Sequence, residues 1–289
     1  MFKSLVSVNQ VAGLPIQSSF REFYNSLPPI LAGNGLRDLA RAIVEAKRAV
    51  APVVFAIGGH VIKVGAGPLL VDLAARGFVT HVAMNGAAAI HDFELGMFGE
   101  TSQDVQATML AGEFGRRETA DAFAAAAKRQ DIRLSKALGS VVRRDGPYSQ
   151  ISVLASADTT IHLSIGADTI WNYLSDSEAG RLGSRGWLEY DQLRLVVLDM
   201  DRRPGVWVNI GSAQLLPEVF LKACSWAISE GADLSQITKA NMDFAPSYRT
   251  TENVLRRGPG RQSIELIGHH EINLPLLRSA ILVESGKQA

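Results

Sequence analysis

The stretch APVVFAIGGHVIKVGAGPLLVDLAARGFVTHVAMNGAAAIHDFELGMFGETSQD, residues 51–104, decides the fold. Val53–Ile57 (VVFAI) is a β-branched run almost free of polar side chains, the composition of a strand covered on both faces, as in a parallel sheet. Gly58, Gly59 and His60 follow at once, and an apolar-periodic helix of roughly 15 residues is expected after them. Thr80–Met84 (THVAM) reads as the next strand and ends in Asn85-Gly86, a second glycine-rich turn crowded with the polar groups His91, Asp92 and Glu94. Together these make one βαβ unit, with its loops where nucleotide-binding folds place a ligand.

The glycines matter because they tolerate unusual backbone angles and let a ligand approach the main chain. A helix opening just after them offers free N–H groups to a phosphate. The spacing, with glycines at 58, 59, 65 and 67, is not G-x-G-x-x-G. A tight strand-to-helix turn that binds nothing therefore stands beside the nucleotide reading.

The rest of the chain repeats the alternation. Leu36–Val50 is an amphipathic helix, preceded by an irregular lead-in over residues 1–35 with Pro28-Pro29 as a stop. Thr119–Arg144 reads as two helices, Thr159–Gly166 as a strand, and Leu193–Met200 as a strand or a buried helix. Gly205–Ala213 is a strand with a Gly-Ser turn, Pro217 opens a helix, and SQITKANMDF supplies a further strand and turn. The segment from Ser263 to Glu284 ends the series as strand, polar turn and helix. Strands alternating with helices predict a doubly wound, mostly parallel, Rossmann-like α/β fold, one domain over residues 36–289.

Composition bounds the function. Lys plus Arg and Asp plus Glu are 29 each, so the net charge of zero gives no support for nucleic-acid or acidic-membrane binding. The single cysteine, Cys224, excludes an intramolecular disulfide and a zinc site built from several thiolates, and its helical setting makes it a buried structural thiol. No signal-peptide layout occurs, and no apolar run reaches the roughly 18 residues of a membrane span. A cytoplasmic setting is expected.

Polar residues gather at the ends of the expected strands: Gly58-Gly59-His60, Asn85-Gly86 with His91, Asp92 and Glu94, Asp168, Gly211-Ser212, Asn241 with Asp243, and Gly268-His269-His270-Glu271. In an open parallel sheet these ends line one crevice, so the groups are expected to converge. No H-E-x-x-H spacing supports a metal, and no G-x-S-x-G supports a hydrolase triad around His162, Ser164 and Asp168. Lys63 and Lys222 are expected on helices, reaching to solvent. Arg249, Arg256 and Arg257 form a basic patch in a loop, fit to clamp an anion or simply to be solvated.

In the order of these turns the chain resembles the deoxyhypusine synthase family, from about Val53 to Leu282. Gly58-Gly59-His60-Val61 with Gly65 is similar to the family's NAD turn. Asn85-Gly86-Ala87-Ala88, followed by His91, Asp92 and Glu94, is similar to its Thr-Ala-Gly-Gly turn and the acidic residues after it. IGADT with Asp168 matches a strand ending in a functional Asp. Gly211-Ser212 stands where the family has three glycines, and KANMDF with Asp243 where it contacts adenosine. The resemblance implies an NAD-binding fold and a homotetramer. It makes Gly58, Gly59, His60, Asn85, Gly86, Gly211, Ser212 and Asp243 cofactor-binding residues; no metal is expected, from the spacing of the His and acidic residues.

The chain departs from the family where the catalytic Lys should stand. ENVLRRGPGRQ offers Arg256 and Arg257, which do not form imines. The Lys-His-His after the triple-glycine turn is also missing. Covalent aminobutyl transfer is therefore not expected. The resemblance implies instead an NAD-using enzyme that abstracts hydride from an amine substrate, a polyamine or a basic amino acid. The imine would then undergo transfer, elimination or hydrolysis, with His91, Glu94 and Asp168 as the proton-transfer or amine-binding groups. An NAD-dependent ornithine-cyclising enzyme and a non-catalytic nucleotide-binding or interaction protein of the same fold are the alternatives.

Overall fold

The computed structural model describes residues 4–7 and 20–286. Residues 1–3 and 8–19 of the expected lead-in lie outside the described residues. Strand β1 (Ser4–Ser7) is followed by α1 (Phe20–Ser26) and α2 (Leu31–Arg48). Part of the expected lead-in is thus helical: Tyr24 of α1 is buried and its hydroxyl donates to Glu284 at 2.8 Å. The βαβ unit contains β2 (Val53–Ile57), α3 (Gly59–Lys63), α4 (Gly67–Ala75) and β3 (His81–Asn85). The single helix expected between these strands is two, because Gly65 takes the left-handed conformation (φ +79°) and breaks it.

Then come α5 (Gly86–Phe98), β4 (Glu100–Gln103), α6 (Val105–Leu110), α7 (Arg117–Lys128), α8 (Leu134–Asp145), α9 (Val153–Ser156) and β5 (Thr159–His162). The second half has α10 (Asp176–Leu198), β6 (Val206–Ile210), α11 (Leu215–Ser229), β7 (Thr238–Asp243), β8 (Gln262–Ile267) and α12 (His270–Glu284). Leu193–Met200 belongs largely to α10, whose polar first half carries no strong periodic signal and whose Ser175–Glu178 capping box starts it.

Six strands form one parallel sheet in the order β5-β3-β2-β6-β7-β8, and β1 pairs antiparallel with β4. Counting from β2, that is the order third-second-first-fourth-fifth-sixth of a dinucleotide-binding sheet. The chain reverses direction between β2 and β6, so the crevice opens at their carboxyl ends.

Alternate strand residues face opposite layers. Val53, Phe55, Ile57, Val82, Met84, Val206, Val208 and Ile210 pack against one layer, together with α2, α4, α5 and α12. Val54, Ala56, Ala83 and Trp207 pack against α10 and α11, with Trp207 stacked on Phe220 at 4.5 Å. Cys224 is buried in that second layer, where burial pushes its thiol pKa up. The edge strand β5 is covered by side chains: Glu189 of α10 accepts from the backbone N–H groups of Ile161 (3.1 Å) and Ser135 (2.8 Å). No described helix is long and apolar enough to cross a membrane.

Candidate active site

Two glycine turns meet at the switch point. Gly58 donates its N–H to the Ile210 carbonyl at 2.8 Å, and a Cβ on Gly58 would stand 1.9 Å from the carbonyl oxygen of Gly211. Gly211 itself takes φ +62°. No side chain fits between these turns, which pack backbone against backbone at the switch point. Gly59 begins α3, and a Cβ there would meet Ala87 at 2.9 Å and the His91 ring at 3.1 Å. The Gly58-Gly59 turn therefore packs directly against α5.

His91, Asp92 and Glu94 are on α5, not in the turn where the sequence placed them, because Asn85 caps the helix one residue after the strand. Its side-chain oxygen accepts from Ala88 N–H at 2.8 Å. Helical geometry then separates the three. His91 and Glu94, three apart, share a face and line a cavity of about 260 Å³ with Lys63 and Asp168. Asp92 turns away and is consumed by structure, accepting from Ser152 Oγ (2.7 Å), Val153 N (2.8 Å) and Leu154 N (2.9 Å) at the start of α9.

Asp168 comes from the loop after β5. Its carboxylate lies against Gly86, where a Cβ would be 2.1 Å from Oδ2, and it accepts from Ser164 N–H at 2.7 Å. Burial raises its pKa to about 6 against that hydrogen bond. Burial, then the Lys63 charge, lowers His91 to about 4, so its imidazole is neutral near pH 7. His91 Nδ1 lies 2.8 Å from Thr101 Oγ1. The Thr101 hydroxyl donates to Glu94, so its oxygen accepts from His91 Nδ1–H and Nε2 keeps the lone pair. Glu94 also accepts from Thr119 at 3.0 Å, and burial raises its pKa. Both Glu94 oxygens are thus engaged, and its carboxylate orients His91 through Thr101.

On the far side of the crevice, Ser212 Oγ accepts from Leu216 N–H at 3.3 Å and Asp243 Oδ1 accepts from Phe244 N–H at 2.8 Å. The exposed His60 ring stands 5.7 Å from buried His270 and 6.2 Å from Phe244. His270 Nε2 is 3.7 Å from Asp243, and both its ring nitrogens lack a hydrogen-bond partner among the described residues. The expected residues therefore fall into two groups: His91, Glu94 and Asp168 at one cavity beside Gly59 and Gly86, and Gly58, Gly211, Ser212, Asp243 and His60 around the carboxyl ends of β2, β6 and β7. The basic patch does not join either. Arg249 pairs with Glu218, and Arg256 and Arg257 pair with Glu252.

Lys63 overturns its sequence reading: it lies on α3 but is half-buried and lines the cavity. Lys222 is exposed and pairs with Glu218. Thr101 and Thr119 carried no local signal, since they reach Glu94 only through β4 and α7. No group of three or more His, Cys, Asp or Glu residues fit to hold a metal ion occurs among the described residues.

No family model and no curated protein matches the sequence. Solved structures do. AgrE, crystallised as a ternary complex with ornithine and NAD+, superposes with a TM-score of 0.56 at 17% identity, covering 85% of this chain and 32% of AgrE. A proposed deoxyhypusine synthase from Entamoeba histolytica gives 0.50 at 10% identity, covering 96% and 99%. This chain has the deoxyhypusine synthase-like fold. A proposed LOR/SDH protein from Methanococcus maripaludis S2 gives 0.51 at 18% identity, covering 94% and 71%. The chain spans about a third of the length of AgrE.

Proposed function

We propose that the chain binds NAD in the glycine-walled crevice and oxidises the amine-bearing carbon of a basic amino acid in the adjoining cavity. The observation that carries this is the meeting of Lys63, His91 and Asp168 in one cavity beside Gly59 and Gly86. The crevice fits a dinucleotide because two opposed turns leave only backbone at the switch point. Gly58, Gly59 and Gly211 would hold it, with His60, Ser212 and Asp243 at its rim. Similarity to AgrE, which was crystallised with ornithine and NAD+, supports the same pair of ligands.

When bound, NAD would accept the hydride; the protein supplies orientation and proton transfer. Asp168 pairs with the substrate ammonium, which would otherwise be costly to enclose. An ammonium cannot give up hydride until it has lost a proton. Asp168, whose pKa of about 6 makes it the stronger base of the two, takes that proton, and His91, held by Glu94 and Thr101 with Nε2 unprotonated, accepts a hydrogen bond from the substrate N–H. Lys63 selects between the two substrate classes. A polyamine carries only positive groups and would be repelled by Lys63, whereas an amino acid presents a carboxylate to it. The oxidised product is an imine, open to hydrolysis or to attack by a second amine of the same substrate. We place the reaction in one domain over residues 36–289 of a homo-oligomer, with no nucleic-acid partner.

The test is calorimetry with NAD, followed by absorbance at the reduced-nicotinamide band on adding ornithine, arginine, putrescine or spermidine. NAD binding with a rise for an amino acid and none for the diamine is expected. Absence of NAD binding in every combination overturns the reading.

A further inference from the structure

Ser102 and Gln103 of β4 also line the reaction cavity, and both are accessible there, neither being fully buried. Strand residues alternate, so Ser102 should face away from the side to which Thr101 sends its hydroxyl, toward His91 and Glu94. It comes to the cavity wall nonetheless, because it takes φ +65°, the left-handed region that a residue with a Cβ adopts only at a cost. Its neighbours hold it there. Thr101 pairs with Val6, and Gln103 with Ser4, in the antiparallel ladder to β1. Strain of this kind persists where the surroundings over-determine it, and it gathers at ligand sites.

Gln103 is pinned a second time. Gly115 donates its N–H to Gln103 Oε1 at 3.0 Å. A backbone N–H only donates, so the atom it meets is the amide oxygen, and the amide N–H2 is turned elsewhere. Among the described residues, none hydrogen-bonds that N–H2 group or the Ser102 hydroxyl.

The polar atoms around the cavity therefore divide by kind. His91 Nε2 and the Asp168 carboxylate accept, whereas the Lys63 ammonium, the Gln103 N–H2 and the Ser102 hydroxyl can donate. Glu94, the other carboxylate at the wall, has both oxygens taken by Thr101 and Thr119. Arg116, next to Gly115, adds positive charge and is held by Glu100 at 3.1 Å and by the Phe98 ring at 4.5 Å. A volume of about 260 Å³ holds one small molecule, so both sets face the same ligand.

We propose that Ser102 and Gln103 form, with Lys63, the seat of the substrate carboxylate, and that they set a preference for an α-amino acid over the amine that lacks its carboxylate. A carboxylate offers about four lone-pair sites and can accept from all three residues. An amine without one leaves these donors unpaired, and a site built to hydrogen-bond a group rejects the analogue that lacks it. The seat rests on the amino-acid reading of this cavity.

The experiment is calorimetry on the full chain, with NAD absent and then present, using ornithine and putrescine, which differ by the carboxylate. The parent is expected to bind ornithine more tightly. Gln103→Glu keeps an oxygen for Gly115 N–H but replaces the donor with a negative charge. It is expected to weaken ornithine about tenfold or more and to leave putrescine unchanged or tighter. Ser102→Gly removes the hydroxyl and suits φ +65°. Ornithine is expected to weaken about threefold or more in that variant, while putrescine and the urea midpoint do not fall. Ornithine affinity that survives either substitution, equal losses for the two ligands, or a parent that binds no amino acid overturns the seat. Ornithine binding with NAD present but no absorbance at the reduced-nicotinamide band counts only against the redox reading.

Discussion

Gly58→Ala probes the contact on which the crevice depends. The new methyl group would stand 1.9 Å from Gly211 O, 2.6 Å from Gly211 C and 3.2 Å from Ser212 N, all of them backbone atoms. No rotamer change relieves such a clash. The ends of β2 and β6 must move apart by roughly an ångström, because cores have no slack at this density. That movement breaks the Gly58 N–H to Ile210 carbonyl bond of 2.8 Å. Stranding that buried pair costs about 1–3 kcal/mol, and forced overpacking about 1–3 kcal/mol more. The variant should therefore lose roughly 2–6 kcal/mol, about one and a half to four and a half powers of ten in the folding equilibrium. Urea unfolding with an unchanged m-value reads the stability, and calorimetry reads the crevice. NAD affinity should fall with stability, since the same two turns form the walls. Gly180→Ala is the control. It lies within α10 with nothing inside 4 Å of its added Cβ, so it should gain up to about 1 kcal/mol from helix propensity. Gly58→Ala within about 0.5 kcal/mol of the parent, a change typical of neutral surface sites, would refute the reasoning.

Lys63→Met should raise the KM for an amino acid about tenfold or more, as expected for loss of a charge-assisted bond, and leave a diamine unaffected or improved; equal effects on both would remove Lys63 from carboxylate binding. Asp168 has a raised pKa of about 6, so the carboxylate that pairs with an ammonium is present above that value and lost as pH falls through it. Substrate affinity should weaken below about pH 6, and Asp168→Asn should bind weakly at every pH, as direct titration will tell. Asp92 is raised from 3.8 to about 6 by burial, against its bonds to Leu154, Val153 and Ser152. Between these values the folded state holds a proton that the unfolded chain has released, so Asp92's contribution to stability falls as pH rises from 3.8 to 6. The loss is at most about 3 kcal/mol at 1.36 kcal/mol per unit. Urea midpoints at pH 4 and 7 should diverge less in Asp92→Asn than in the parent; an equal divergence would assign the pH dependence to other groups.

Much of the fold was legible along the chain. VVFAI, HVAM and VWVNI are buried strands because β-branched and apolar runs of that length can satisfy themselves only between two layers of helices. Their glycine ends were legible for the same local reason, since the backbone must turn sharply from strand to helix. The capping of α5 by Asn85 was also local, yet the sequence reading left His91 and Glu94 in a turn, where their shared helical face could not be seen.

Partnership between distant residues was not legible. Lys63 looked like a solvent-facing lysine until β4 and the 114–116 and 167–169 loops closed over α3 and α5. Whether Arg256 and Arg257 clamp an anion or are simply solvated was open along the chain, and Glu252 pairs with both. The tautomer of His91 depends on Thr101 and Glu94, brought together by β4 and α5. The sequence by itself determined where strands end and which turns must be glycine, because those follow from short-range sterics and hydrophobic period. Only the tertiary structure decided which charges are neutralised, which imidazole nitrogen is free and which lysine faces a substrate, because each depends on a group far away in the chain.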